Sequence, residues 1–273
     1  MTSDVASHYS RDDLVETVRR ALESLGKDLN ALDVADLSEL DQLHVRGAEA
    51  THELADRLEL SADDRVLDVG CGIGGPSRLL AAGHGCRVTG IDLTAAFCRL
   101  AEEMARWVGL EDRLDYRTGD ALALPFAAES FDVVWTQHAA MNIADKARLY
   151  AEMRRVLKPG GRLALYDVLQ GDGGDMHYPV PWARTPEISF PATAADLRRH
   201  LAAAGFEIVS WRDNTAAALA WYRERRRQAA AGGPPPVGAR IFIGEDFRTI
   251  VANLARNLEE GRALTVDAVC CAV

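Results

Sequence analysis

Three carboxylates stand at or near the ends of apolar runs in this chain. They are Asp68 in Val66-Leu67-Asp68-Val69, Asp92 closing Arg87-Val88-Thr89-Gly90-Ile91-Asp92, and Asp120 in Gly119-Asp120-Ala121. The first run leads straight into a glycine-dense turn, Gly70-Cys71-Gly72-Ile73-Gly74-Gly75, and then into Pro76-Ser77-Arg78-Leu79-Leu80. A strand, a glycine turn and a helix in that order bring backbone amides and a helix N-terminus close to a nucleotide-like ligand. Side chains in such a turn would block the ligand or forbid the positive φ angles. Gly70, Gly72 and Gly75 also satisfy G-x-G-x-x-G, so the turn alone indicates a nucleotide cofactor without saying which.

The carboxylates narrow the choice. Asp68 is awkward beside a dinucleotide's pyrophosphate but suits a cationic ligand carrying an amino group. Asp92 lies about 20 residues beyond the glycines, where a carboxylate can accept both ribose hydroxyls. Asp120 can accept the exocyclic amine of adenine. A single Asp at a strand end is often only a turn former. Three at consecutive strand ends make a binding set.

These residues need a frame, and the spacing predicts one. Strands are expected at Val66–Val69, Arg87–Asp92, Leu114–Thr118, Phe131–Thr136 and Arg162–Val168, alternating with helices Ala95–Val108 and Asp145–Leu157. Alternation of this kind implies a doubly wound α/β fold with a parallel sheet covered on both faces. Before it, residues from Asp12 to about Leu60 read as helical, with Leu14, Val18 and Leu22 at helical spacing, and Pro159-Gly160-Gly161 reads as a turn. After it, residues 170–192 are broken by prolines and glycines and carry Tyr178, Trp182 and Phe190. Thr193 caps a helix Ala194–Ala204, a strand Phe206–Trp211 follows, and helices Ala216–Ala230 (ended by Gly232 to Pro236) and Phe247–Glu260 precede a last strand, Ala263–Ala272. The two late strands are expected to pair as an antiparallel edge hairpin. The expected organisation is a helical cap over 1–60 and one domain over 61–273, with a lid at 170–192 and a helical insertion at 215–262.

Composition excludes other classes. With 273 residues, 48% apolar and 26% charged, the chain is that of an ordinary soluble globular protein. A net charge of −10 argues against nucleic-acid partners, and Arg223 to Arg227 reads as a solvated helix face. No membrane-spanning stretch or signal peptide is visible, so a cytoplasmic protein is expected. Five scattered cysteines without a C-x-x-C pair fit reduced thiols, with Cys71 a small residue the turn can accommodate. Dispersed histidines make a metal site unexpected.

The chain resembles the class I S-adenosylmethionine-dependent methyltransferases. The resemblance rests on Val66 to Gly75, Gly90-Ile91-Asp92, Gly119 to Phe126, Ser130-Phe131-Asp132-Val133-Val134 and Val156-Leu157-Lys158-Pro159-Gly160-Gly161, in family order over roughly residues 60–170. It is nearest the small-molecule branch of ubiquinone/menaquinone, sarcosine/dimethylglycine and natural-product methyltransferases. It implies a Rossmann-like seven-stranded sheet with S-adenosyl-L-methionine as cofactor and a small-molecule acceptor methylated on nitrogen or oxygen, in a monomer or homodimer. Carried over by position, Gly70, Gly72 and Gly74 approach the methionine part, Asp68 the amino group, and Asp92 the ribose. Leu93, Asp120 and Ala121 border the adenine. Gln137 and His138 meet the methionine end and open the acceptor pocket. His44, in Leu43-His44 before Gly47, resembles a cofactor-covering segment of natural-product relatives.

Sugar-methylating relatives place a His–His pair where Met141-Asn142 stands here, and a carboxylate at Asp167. The pair is missing, which leaves His138 and Asp167 as candidate catalytic residues and Asn142, Tyr178 and Trp182 as candidate acceptor contacts. Two alternatives stay open: a nicotinamide-dependent oxidoreductase using the same turn, and a cofactor-binding protein without catalysis. The first would call for a Tyr-Lys set, and Tyr166 has no lysine four residues on.

Overall fold

The computed structural model describes residues 14–232, 238 and 240–273, and in them seven strands form one sheet. They are β1 (Arg65–Val69), β2 (Arg87–Asp92), β3 (Leu114–Thr118), β4 (Phe131–Gln137), β5 (Leu157–Gln170), β6 (Phe206–Asp213) and β7 (Ala263–Ala272). The order is β3-β2-β1-β4-β5-β7-β6, parallel from β1 to β5, with β7 antiparallel to both of its neighbours. Leu67, Val69, Leu163 and Leu165 pack on one face, and Val66, Val133, Trp135 and Ala164 on the other. This two-residue period is that of strands buried on both sides. The expected edge hairpin is β6–β7.

Helices α1 (Leu14–Ser24), α2 (Val34–Asp41) and α3 (Gly47–Ala55) precede the sheet. They are followed by α4 (Gly75–His84), α5 (Ala95–Trp107), α6 (Lys146–Val156), α7 (Ala194–Ala203), α8 (Thr215–Gly232), α9 (Arg240–Ile243) and α10 (Phe247–Glu259). Leu14, Val18, Leu22, Leu37 and Leu40 pack against Phe97, Leu100 and Met104 of α5. None of the described helices is long and apolar enough to cross a membrane.

Two expectations are corrected. The N-terminal region is not one helical run. A capping box between Asp33 and Asp36 starts α2 afresh, and Arg46 at φ +67° breaks the chain again before α3. Pro159-Gly160-Gly161 lies inside β5 as an irregularity, since Phe131 pairs with Leu157 but Val133 with Arg162. The short α9 has too few residues for its period to be read. The expected positions Asp12 and Gly233 to Pro236 lie outside the described residues.

The strand order reverses between β1 and β4, with β2 on one side and β5 on the other. A crevice therefore opens at their C-terminal ends, the usual ligand position of an open parallel sheet.

Candidate functional site

The turn after β1 and the turn after β4 form the floor of this crevice. A methyl group on Gly70 (φ +76°) would lie 2.4 Å from Ala139 Cβ, so only glycine lets the two turns meet. Gly72 (φ +53°) differs: a Cβ there would meet no atom within 4 Å and would project into open space. Gly74 does not line the crevice. Its Cβ would run into the Tyr116 hydroxyl at 2.4 Å, so this glycine serves the seating of α4 against β3. Gly75 is packed in the same way against the Asp41 carbonyl, at 2.3 Å.

The crevice encloses about 430 Å³ and holds all three strand-end carboxylates. Asp68 accepts a 2.6 Å hydrogen bond from Ser77 Oγ, and burial pushes its carboxyl up to about 7. The Ser77 bond opposes that rise, and Asp92 nearby adds to it. Asp92 accepts the Gly72 N–H at 3.0 Å and the Thr94 N–H at 2.8 Å, which fixes its carboxylate at the end of β2. Burial raises this group too. Asp120 accepts the Leu122 N–H at 2.8 Å, and Leu93 and Ala121 line the crevice beside it.

On the β4 side, Gln137 Oε1 accepts the Trp135 indole N–H and the Thr51 hydroxyl, both at 3.1 Å. Because the indole only donates, this bond sets the amide's orientation and leaves Gln137 Nε2 without a partner. His138 follows in the left-handed region at φ +49°, held by its N–H to the Tyr166 carbonyl at 2.8 Å. Its Nε2 has no partner either, nor has Asn142 Oδ1. Burial, and then proximity to His44, keeps the His138 imidazole neutral, far below its ordinary pKa of 6.5. His44 reaches in from the break between α2 and α3, with Nε2 2.9 Å from the Gly47 carbonyl, and burial lowers its pKa to about 4. Trp182, Phe190, Met141 and Phe242 supply apolar walls.

Of the sequence-predicted residues, His44, Asp68, Gly70, Gly72, Asp92, Leu93, Asp120, Ala121, Gln137, His138, Asn142 and Trp182 line one crevice. Asp167, Gly74 and Tyr178 do not. Strand alternation turns Asp167 to the sheet face that Leu163 and Leu165 occupy, where it accepts the Val168 N–H at 3.0 Å. Burial pushes it up to about 7, with the Lys146 ammonium pulling the other way. Tyr178 packs behind the crevice wall, in the cluster of Val180, Tyr222 and Leu254 that also holds Met141 and Trp182.

Two contributors escaped the sequence. Arg78, fully buried in α4, donates to Asp41 Oδ2 at 3.0 Å and to the Ile73 carbonyl at 2.7 Å, tying the glycine turn to α2. Lys146 donates to the Ala140 carbonyl at 2.7 Å and the Phe190 carbonyl at 2.6 Å, drawing the segment over residues 170–192 onto the turn after β4. The Phe190 N–H to Met141 carbonyl bond at 2.8 Å closes the same seam. Neither residue belongs to a local motif, and only a buried charge marks them in the structure.

Residues 67–165 match the family model of the methyltransferase domain. The chain is 40% identical over 134 residues to Methyltransferase GfsG of Streptomyces halstedii, covering 49% of this chain and 48% of that protein. It spans between about a third and a half of the length of the curated relatives it matches. Geranyl diphosphate C-methyltransferase from Streptomyces coelicolor A3(2) shares the fold with a TM-score of 0.71 at 19% identity, over 100% of this chain and 98% of that one. The [4+2]-cyclase SpnF is similar at a TM-score of 0.65 and 28% identity, over 82% and 80% of the two chains. Nothing in these likenesses supports a nicotinamide-dependent oxidoreductase. Fold, crevice and family match agree: residues 67–165 match the methyltransferase domain, and the chain is similar to methyltransferases.

Proposed function

We propose that this protein transfers a methyl group from S-adenosyl-L-methionine to a small-molecule acceptor with an oxygen or nitrogen nucleophile. The observation that carries the reading is the meeting of Asp68, Asp92, Asp120 and the open Gly72 backbone in one crevice at the strand-order reversal. The residues present fit that cofactor. Asp68 suits its ammonium, Asp92 its ribose hydroxyls, Asp120 the adenine amine, and the orphaned Gln137 Nε2 a carboxylate oxygen. When bound, S-adenosyl-L-methionine supplies a methyl carbon already activated by a sulfonium.

The chain's own part is alignment, exclusion of water and proton removal. Gly70 lets the two turns pack so that His138 and Asn142 face the same space as Asp68. Residues 170–192 act as a lid, fastened by Lys146, and residues 215–262 as its backing. His138 Nε2, neutral and without a partner, takes the acceptor's proton. Asp167 acts as a positioning residue beneath the turn carrying Met141 and Asn142. We place the protein in the cytoplasm as a monomer or homodimer, consistent with five free cysteines.

The test is incubation with methyl-labelled cofactor and a panel of phenols, amines and sugars, reading S-adenosylhomocysteine and labelled product. The expected result is labelled product with one acceptor class. Cofactor binding without product across the panel would favour the silent reading.

A further inference from the structure

The walls of the crevice carry charge of one sign only. Among the described residues lining it are six carboxylates, Asp41, Asp68, Asp92, Asp120, Asp145 and Glu187, and no Lys or Arg. Four cations outside it, Arg78, Lys146, Arg148 and Arg184, have partners of their own. Arg78 is spent on Asp41 and the Ile73 carbonyl, and Lys146 on carbonyls of the turn after β4 and of Phe190. Arg148 donates to the Leu122 carbonyl, and Arg184 pairs with Asp246. An anionic acceptor would lose its hydration here and gain no cation from the protein in return, with only the cofactor's sulfonium to set against the lining carboxylates.

The remaining wall is apolar: Met141, Ile143, Trp182, Ile188, Phe190 and Phe242. Within it, Asn142 Oδ1 has no partner and can only accept, and His138 Nε2 has none. An acceptor's single O–H can satisfy one of them, and donation to His138 Nε2 is the bond that readies its proton for removal. An ammonium would offer donors as well, but it would set a second positive charge against the sulfonium in a dry cleft.

We propose that the acceptor is an uncharged, predominantly apolar alcohol or phenol, and that the crevice discriminates against phosphorylated, carboxylated and ammonium-bearing molecules. This rests on the methyl-transfer reading above. In the step it implies, the hydroxyl oxygen forms a bond to the methyl carbon, and the carbon–sulfur bond breaks with its electron pair left on sulfur. The hydroxyl proton passes to His138 Nε2. One positive charge enters as sulfonium and one remains as imidazolium, so the net charge of the crevice is unchanged.

The test is binding, read by calorimetry on the whole protein saturated with sinefungin, a cofactor analogue that carries an ammonium near the place of the sulfonium. The probes are 1-naphthol and geraniol, each against its phosphate monoester and against 1-naphthylmethylamine and geranylamine. The tighter neutral probe is expected to bind at least tenfold better than its phosphate and its amine. Glu187→Lys is expected to narrow the phosphate gap by threefold or more. Equal or tighter binding of a phosphate or an amine would overturn the proposal, as would failure of both neutral probes to bind. S-adenosylhomocysteine binding is measured first, so that its failure sinks the methyl-donor reading and an anion preference sinks only the acceptor class.

Discussion

Burial raises the Asp68 carboxyl to about 7, so near neutrality it is partly protonated in the free protein. Its folded pKa exceeds the ordinary 3.8, so the stability linked to it is full below about pH 4 and is lost as pH rises through 7. Asp68→Asn is therefore expected to raise the melting temperature of the free protein at pH 8. The same variant should bind S-adenosyl-L-methionine about 10- to 100-fold more weakly, since a charge-assisted bond is worth about 1.5–3 kcal/mol. Calorimetry across pH checks the sign: a bound ammonium favours the ionised carboxylate, so wild-type affinity should fall below pH 7 and the variant's should not follow. At His138, asparagine tolerates the left-handed backbone while removing the imidazole. His138→Asn should lower turnover by about 10²-fold or more and leave S-adenosylhomocysteine affinity within a few-fold. Unchanged turnover would remove the base from His138. Asp68, Asp92 and Asp120 were legible in sequence because each closes or adjoins an apolar run that had to be a strand. Asp167 met the same criterion but faces the other side of the sheet, which the resemblance alone did not reveal.

The glycines of the turn after β1 perform two separate jobs, and substitution separates them. Gly72→Ala adds a methyl group into open space at φ +53°, a local strain of about 1–2 kcal/mol. It should keep the fold and weaken S-adenosylhomocysteine binding about tenfold or more. Gly75→Ala drives its Cβ toward the Asp41 carbonyl, 2.3 Å away, and should instead lower stability by about 1–3 kcal/mol in urea melts. If both acted alike, the turn would not be a cradle. Asp41→Ala would leave the buried Arg78 guanidinium without its carboxylate, a loss of about 3–5 kcal/mol readable in the same melts. The βα units from β1 to β5 were readable from strand period and glycine punctuation. The seam made by Arg78 and Asp41 was not, because it joins residues from separate helices and each reads alone as a surface charge.

Across the whole molecule, the parallel sheet fixes where a ligand must sit, and the flanking helices decide what it touches. The N-terminal helices deliver His44 and Asp41, and the late insertion delivers Phe242, to a crevice that β1 to β4 begin. Sequence period predicted helix in the N-terminal region but neither α9, which carries Phe242, nor where these helices dock, because docking depends on contacts between segments far apart in the chain. The net charge of −10 and a crevice lined by carboxylates point the same way, toward a cationic cofactor. The most direct measurement is calorimetric titration of the whole protein with S-adenosylhomocysteine and with NAD, repeated on Asp92→Asn. One S-adenosylhomocysteine should bind per chain, weakened tenfold or more by the substitution, and NAD should give no saturable heat. Saturable NAD binding without S-adenosylhomocysteine binding, or binding indifferent to Asp92, would contradict the assignment of the crevice.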